Sequence, residues 1–335
     1  MMAVTWRRGA AVVALALGAL GFGLVAVRPG TAQPGLPERG IIEMTVLFPA
    51  GSSADVTARL LADGMSRRLG NKVIVVNRPG AGGAIGYRWV AAQKADGSAI
   101  VWNSNSISTA HHSGALAVDY TAFEPVARVL VETPVLAVRA DAPWKTLPEF
   151  VAAMKARPGQ ITIGHSGVGS HTHMSLVALL RAGGVEAVEV PFGAAQVVPS
   201  LLGAQVDAVL QLPGALTSYV TGGQLRLLAA LTAARDPNFP DVPTAREQGF
   251  DLNLEAWRGI AVPKGTSPVT INALEAAIKA TVASPDFIEA SVRLGVKPAF
   301  LPAAEFARVI AKEDDEVRAF MAQVGLLKQA EQGIR

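Results

Sequence analysis

Short apolar runs alternate with segments of helical periodicity through most of this chain. The apolar runs predict strands at residues 44–48, 73–76, 99–102, 134–138, 161–164, 187–190, 206–210, 225–231 and 259–262. Between the first two runs, one helix face is marked by Val56, Leu60, Met65 and Leu69. Regular alternation of strands and helices predicts an α/β fold whose sheets are mostly parallel and flanked by helices. Helices near residues 268–283 and 303–324 are expected to end the chain without further strands.

Two of the predicted strands end in glycine-rich turns that open into helices. Residues 48–55 are FPAGSSAD after the first strand, and residues 77–86 are NRPGAGGAIG after the second. Ser52 or Ser53 is placed to cap the first helix. Small residues let the backbone approach a ligand closely, and the first amides of a helix lack partners within it. The two turns therefore predict an anion cradle made of backbone groups, which favours binding over catalysis.

A comparable unit recurs in the second half of the chain. The strand at residues 161–164 is followed by HSGVGS at 165–170 and by a helical pattern, for which Ser170 is the expected cap. Ligands of such sheets bind beyond the carboxyl ends of the strands, where Asn103 and Asn105 also lie. The recurrence predicts two lobes that face each other across a ligand cleft. Lobe 1 is expected to comprise residues 33–135 and 259–335, and lobe 2 residues 136–258.

The first 32 residues have the pattern of an export signal. Arg7 and Arg8 precede an uncharged apolar stretch at residues 10–27, and small residues follow at 30–32. This pattern predicts a signal peptide cleaved after Ala32 and hence a periplasmic location, with an uncleaved membrane anchor as the alternative. Three of the 30 Lys and Arg residues lie in this segment and none of the 27 Asp and Glu residues do, so the remainder carries 27 of each. A nucleic-acid partner is therefore not expected, and the absence of cysteine excludes disulfides and thiol catalysis.

Motifs for nucleotide and metal chemistry are incomplete in this sequence. The segment GAGGAI at residues 80–85 has Ile85 where a dinucleotide fingerprint needs its third glycine, and no P-loop motif is present. The five histidines fall into two groups without a cysteine or a convergent carboxylate nearby, so neither a metal nor a cofactor is expected. The segment GHSGV at 164–168 nearly matches an esterase elbow, which keeps a secreted serine hydrolase using Ser166 as the alternative function.

Taken in order, these segments resemble the extracytoplasmic solute receptors of the tripartite tricarboxylate transporter family, also called Bug receptors. The most specific part is NRPGAGG at residues 77–83, followed by SGVGS at 166–170 and WRG at 257–259. The resemblance extends over nearly the whole chain after the leader. It implies a two-lobed periplasmic binding protein fold, type II-like, without enzymatic activity. Such a receptor closes over a small organic carboxylate (a di- or tricarboxylate, an acidic amino acid or an aromatic acid) and passes it to an integral membrane permease.

The binding site is expected to combine the two first-lobe turns with the loop at residues 166–171. The family's first loop often carries extra glycine or threonine where this chain has SSA at 52–54, so the identity of the solute stays open. Arg258 is expected to pair with a carboxylate ligand or with Glu255. The expected ligand-binding residues are Ala50, Gly51, Ser52, Ser53, Asp55, Gly80, Ala81, Gly82, Gly83, Asn103, Asn105, Ser166, Val168, Gly169, Ser170, His171, Phe192 and Trp257.

Overall fold

The structure is a computed structural model that describes residues 35–37 and 40–328. The predicted signal peptide lies outside the described residues. Among the helices of the described part, none combines the length and the apolar character that crossing a bilayer requires.

The described chain folds into strands and helices that alternate for most of its length. The strands are β1 (Ile41–Val46), β2 (Lys72–Asn77), β3 (Ala99–Ser104), β4 (Phe123–Glu132), β5 (Val135–Arg139), β6 (Thr162–His165), β7 (Val188–Pro191), β8 (Ala208–Gln211), β9 (Leu225–Ala230), β10 (Ala256–Pro263) and β11 (Lys297–Pro302). The helices are α1 (Ser53–Leu69), α2 (Ala84–Ala91), α3 (Ser106–His112), α4 (Leu147–Ala156), α5 (His171–Gly183), α6 (Val197–Leu202), α7 (Thr217–Thr221), α8 (Pro268–Val282), α9 (Pro285–Leu294) and α10 (Ala303–Gln323).

The strands form two mixed sheets, one in each lobe. The first sheet has the order β11-β4-β10-β3-β1-β2, and the second has the order β7-β6-β8-β5-β9. In the first, β1 is parallel to β2 and β3, whereas β10 is antiparallel to β3 and β4, and β11 to β4. In the second, β6 is parallel to β7 and β8, whereas β5 is antiparallel to β8 and β9. The two-lobed α/β fold is confirmed, but the expectation of mostly parallel sheets is wrong, because β10 enters the first sheet against the direction of β3.

Two strands of the first sheet were not predicted. The apolar run of β4, FEPVARVLVE, is interrupted by charged residues and by Pro125. Strand β11, KPAFLP, contains two prolines, which are tolerated because β11 is an edge strand. The expectation that helices end the chain without further strands is therefore wrong, since β11 lies between α9 and α10.

Apolar clusters pack each sheet against its helices, and α10 spans both lobes. One buried cluster surrounds the first sheet, and two further clusters cover the two faces of the second. In α10, Phe306 and Ile310 are buried in the first cluster, whereas Phe320 packs against the second lobe. Arg181 of α5 donates a hydrogen bond to the carbonyl of Gln323 at 3.0 Å. Residues at or just after the carboxyl ends of β1, β3 and β6 line one pocket, and the site forms there.

Candidate functional site

A small polar pocket lies where the N-terminus of α1, from the first lobe, meets the N-terminus of α5, from the second. Its volume is about 20 Å³, which is room for one or two water-sized groups. Eleven of the sixteen residues that line it have polar side chains. The polar pocket is lined by Phe48, Ser52, Ser53, Ala54, Ser104, Asn105, Ser106, Ser166, Ser170, His171, Thr172, Ala194, Gln211, Leu212, Ala256 and Arg258.

The first wall of the polar pocket is the capped start of α1. The Ser52 hydroxyl accepts a hydrogen bond from the amide of Asp55 at 3.3 Å, so the expected cap is confirmed. Capping leaves the amides of Ser53 and Ala54 without an acceptor among the described residues, and both residues line the pocket. The Asp55 carboxylate turns away and accepts from the amide of Gly51 at 3.0 Å. Burial alone would raise the pKa of Asp55, but hydrogen bonds from Arg59, Gly51 and Asn77 outweigh it and lower that pKa.

The second wall is the start of α5 and the loop before it, residues 166–170. The Ser170 hydroxyl accepts from the amide of His173 at 3.2 Å, which confirms the second expected cap. The Thr172 hydroxyl accepts from the amide of Ser166 at 2.9 Å and holds the loop against the helix. The amides of His171 and Thr172 find no acceptor in the described part of the chain. Two helix N-termini thus aim free amides at one small space, and each carries partial positive charge.

His171 adds polarity to the polar pocket without adding charge. Burial, together with the nearby positive charge of Arg258, lowers the pKa of His171 to about 4, although a contact with the backbone of Glu255 opposes the shift. The imidazole is therefore neutral at ordinary pH.

Arg258 is the charged residue of the polar pocket, and its partner is Glu132. Nε of Arg258 donates to Oε2 of Glu132 at 2.9 Å, and both side chains are almost completely buried. Oε1 of Glu132 accepts a second hydrogen bond from the hydroxyl of Ser53. The expected pairing of Arg258 with Glu255 is wrong, because β4 pairs Glu132 with Ala256, two residues before Arg258 on the same face of β10.

A wider opening, the outer cleft, adjoins the polar pocket and shares Phe48, Ser166 and Ala194 with it. Its volume is about 500 Å³. Gly82 has φ of 63°, and a Cβ built there would lie 3.0 Å from the carbonyl oxygen of Val168 in the second lobe. The glycine-rich turn therefore lies directly against the loop at 166–170. The outer cleft is lined by Phe48, Pro49, Pro79, Gly80, Ala81, Gly82, Gly83, Ser166, Gly167, Val168, Phe192, Gly193, Ala194, Ala195 and Gln196.

The expected ligand-binding residues divide into three sets in the structure. The polar pocket collects Ser52, Ser53, Asn105, Ser166, Ser170 and His171. The outer cleft collects Gly80, Ala81, Gly82, Gly83, Val168 and Phe192, and Ser166 again. Neither space is lined by Ala50, Gly51, Asp55, Asn103, Gly169 or Trp257. Sequence reasoning missed Gln211 and Glu132; it named Arg258 as a partner of a carboxylate ligand or of Glu255 but did not count it among the ligand-binding residues.

Three of the residues outside both spaces make hydrogen bonds that support the site. Asn103 accepts a hydrogen bond from the hydroxyl of Tyr87 at 2.7 Å. Trp257 donates its indole N–H to Glu313 of α10, and Glu313 also accepts from the side chain of Asn105. The backbone carbonyl of Gly169 accepts from the hydroxyl of Thr109. These hydrogen bonds position Asn105 and the loop at 166–170, whereas the three residues themselves line neither space.

A carboxylate lies beside each histidine group, contrary to expectation, and in the first group Asp314 is 3.1 Å from Nε2 of His112. Parallel pairing of β6 with β7 places Glu189 beside His165 and His173, with the candidate ligand atoms within 4.8 Å of one another. The amide of Gly169 donates to Nδ1 of His173 at 3.1 Å, so the ring proton sits on Nε2, which lies 3.2 Å from Glu189. The hydrogen bond from His173 lowers the pKa of Glu189 despite partial burial. This chain of bonds shapes the loop at 166–170.

The surroundings of Ser166 do not resemble those of a catalytic serine. Its hydroxyl accepts from Nε2 of Gln211 at 3.0 Å. No histidine among the described residues forms a hydrogen bond with this hydroxyl. A serine nucleophile needs a general base within hydrogen-bond reach, and that base is not in place here.

A two-lobed α/β fold with a pocket of free amides between the lobes defines the class of periplasmic solute-binding proteins. The family model described as tripartite tricarboxylate transporter family receptor, TctC, matches residues 57–326. The chain belongs to this family of solute-binding receptors, as the sequence resemblance predicted. BugT of Bordetella pertussis is 33% identical over 287 residues, covering 84% of this chain and 85% of BugT. A UPF0065 protein of Cupriavidus necator is 30% identical over 318 residues, covering 94% and 96% of the two chains.

Solved structures of similar proteins share the fold. The periplasmic binding protein BugD is 29% identical and superposes with a TM-score of 0.83, covering 88% of this chain and all of BugD. MatC of Rhodopseudomonas palustris, solved with bound malate, is 26% identical with a TM-score of 0.78, covering 84% of this chain and 98% of MatC.

Proposed function

We propose that this protein is a periplasmic receptor that captures a small organic carboxylate between its lobes and delivers it to a permease of the tripartite tricarboxylate type. The observation that carries the proposal is the convergence of two capped helix N-termini on the polar pocket. The amides of Ser53, Ala54, His171 and Thr172 lack acceptors in the described residues and surround one space. An anion there completes their hydrogen bonds and interacts favourably with both helix dipoles.

The sizes of the two spaces indicate how the solute divides between them. The polar pocket, at about 20 Å³, holds little more than the oxygens of one carboxylate. The outer cleft, at about 500 Å³, has room for a carbon skeleton. MatC, a structural neighbour, binds malate. A solute with one carboxylate in the polar pocket and its remainder in the outer cleft fits both observations.

A thermal-shift screen of the exported protein tests the solute class. The panel contains di- and tricarboxylates, acidic amino acids and aromatic acids, and each acid is paired with its uncharged amide as a control. A ligand at about 100 times its dissociation constant should stabilise the protein by about 2.7 kcal/mol. A folded sample that no carboxylate stabilises would contradict the proposal.

Delivery and location need separate measurements. The intact mass of the exported protein shows whether cleavage follows Ala32 or the leader is retained as an anchor. In vesicles that contain the cognate permease, uptake of the identified acid should require the loaded receptor. Uptake at the same rate without the receptor would contradict the delivery step.

A further inference from the structure

The guanidinium of Arg258 has more hydrogen-bonding capacity than the protein uses. Its exposed fraction is 5%, and burying such a charge is costly unless it is paired. Nε is the guanidinium nitrogen that bonds within the described part of the chain, to Glu132 at 2.9 Å. A guanidinium carries five N–H donors, so four of them, on the two terminal nitrogens, remain available. Arg258 lines the polar pocket, and these four N–H donors are the part of its side chain that has no hydrogen-bond partner there.

Glu132 is fully engaged and holds Arg258 in place. One carboxylate oxygen accepts from Nε of Arg258, and the other accepts from the hydroxyl of Ser53. Its side chain has no exposed surface, and it does not line the polar pocket. Glu132 therefore holds the guanidinium at Nε, and the two terminal nitrogens stay free. Two parallel N–H donors on one edge match the two oxygens of a carboxylate.

The charges around the polar pocket favour an anion at this position. Among the residues that line it, Arg258 is the one that is charged at neutral pH, since burial and Arg258 itself keep His171 neutral. The helix N-termini of α1 and α5 add partial positive charge. Glu132 offsets the formal charge of Arg258, so an anionic group entering the pocket would meet free N–H donors and two helix N-termini.

A second group of free amides lies in the outer cleft. The amides of Ala81 and Gly82 have no hydrogen-bond acceptor among the described residues, and both residues line that cleft. A ligand with one anionic end would satisfy either this turn or Arg258. A ligand with two anionic ends separated by a short carbon chain would satisfy both.

We propose that Arg258 is the specificity-determining residue of this receptor, and that it selects dicarboxylates by binding the carboxylate that enters the polar pocket. This inference rests on the proposed function, because it names the residue and the solute class for the same site. The second carboxylate then lies in the outer cleft near the glycine-rich turn. Solutes with a single carboxylate leave one of the two positions unsatisfied.

The first test uses the unaltered protein and calorimetric titration. Succinate, malate, glutarate and adipate are compared, and the tightest of them is then compared with its own monoamide. Charge-assisted hydrogen bonds predict that the diacid binds about 10- to 100-fold more tightly than the monoamide. Equal affinities would overturn the inference and leave the receptor proposal standing. If the protein binds aromatic or amino acids but none of the four diacids, the inference fails while the receptor proposal stands.

The second test removes the charge of Arg258 together with that of its partner Glu132. In the double variant Glu132→Gln/Arg258→Gln, both buried charges disappear, so no unpaired charge remains to unfold the protein. The variant should lose about 10- to 100-fold in diacid affinity and should prefer the diacid over the monoamide by a much smaller ratio than the wild type does. The matched control is Glu124→Gln/Lys264→Gln, which removes an exposed ion pair near the other end of the same two strands. A folded double variant that still prefers the diacid by the wild-type ratio would overturn the inference.

Discussion

Replacing Gly82 by alanine is expected to weaken solute binding by opposing the approach of the two lobes. Gly82 has φ of 63° and faces the second-lobe backbone, where a Cβ would lie 3.0 Å from the oxygen of Val168 and 3.3 Å from the carbonyl carbon of Gly169. These distances are short for contacts with backbone atoms, which cannot rotate away as a side chain could. The loop at 166–170 would have to retreat for the lobes to close.

The expected cost of Gly82→Ala has two separable parts. The left-handed conformation costs an alanine about 1–2 kcal/mol of folding free energy. Alanine also lowers the conformational entropy of the unfolded chain, which offsets about 0.4–1 kcal/mol of that cost. This part lowers stability whether or not a solute is bound. Overpacking against the facing loop adds about 1–3 kcal/mol only when the lobes meet. The second part should appear as a roughly 5- to 150-fold rise in the dissociation constant.

Gly223→Ala is the matched control for this substitution. Gly223 has φ of 68°, and a Cβ there meets nothing within 4 Å. Both variants should therefore lose the stability that the left-handed conformation costs in thermal unfolding without ligand, whereas calorimetry should show weakened binding for Gly82→Ala alone. Wild-type affinity in Gly82→Ala, or equal weakening in both variants, would refute the claim that this contact forms in the bound state.

Three further substitutions test the energetics of the supporting network. Burial raises the pKa of Glu313 to about 7, so the stability linked to its proton is present below about pH 4.5 and is lost as pH rises to 7. The free energy of unfolding of Glu313→Gln, measured in urea, should therefore rise relative to that of the wild type by up to roughly 3 kcal/mol between pH 5 and pH 8. A difference that does not change with pH would contradict this. Ser170→Ala should cost about 1 kcal/mol, and more than Ser284→Ala, because Ser284 makes no capping bond to α9. Tyr87→Phe removes the hydroxyl that bonds Asn103 and the backbone of Ser104, and it should lower the unfolding free energy by about 1 kcal/mol without changing solute affinity; altered affinity would show that this hydroxyl also shapes the polar pocket.

Local sequence signals account for the frame of the site. A strand, a small-residue turn and a capping serine are neighbours in the chain, so their geometry follows from short-range sterics and hydrogen bonding. Ser52 and Ser170 accordingly cap the helices that were expected to begin there. The same local patterns carried the family resemblance, which the family model confirms over residues 57–326.

The charged centre of the polar pocket depends on pairing between distant strands. Glu132 and Arg258 lie 126 positions apart, and β4, which carries Glu132, has too irregular an apolar pattern to be recognised as a strand. Once β4 pairs with β10, the period of two along each strand puts both side chains on one face. Glu189 reached His173 in the same way, through the pairing of β6 with β7.

The sequence by itself determined that this chain has paired strand–turn–helix units and two capped helix starts. Only the tertiary structure decided which side chains share the space between those helices. Caps and turns are set by interactions within a few residues, whereas the position of Arg258 depends on strand order and register. A shift of one residue in that register would have pointed Arg258 to the opposite face of the sheet and left the polar pocket without its charge.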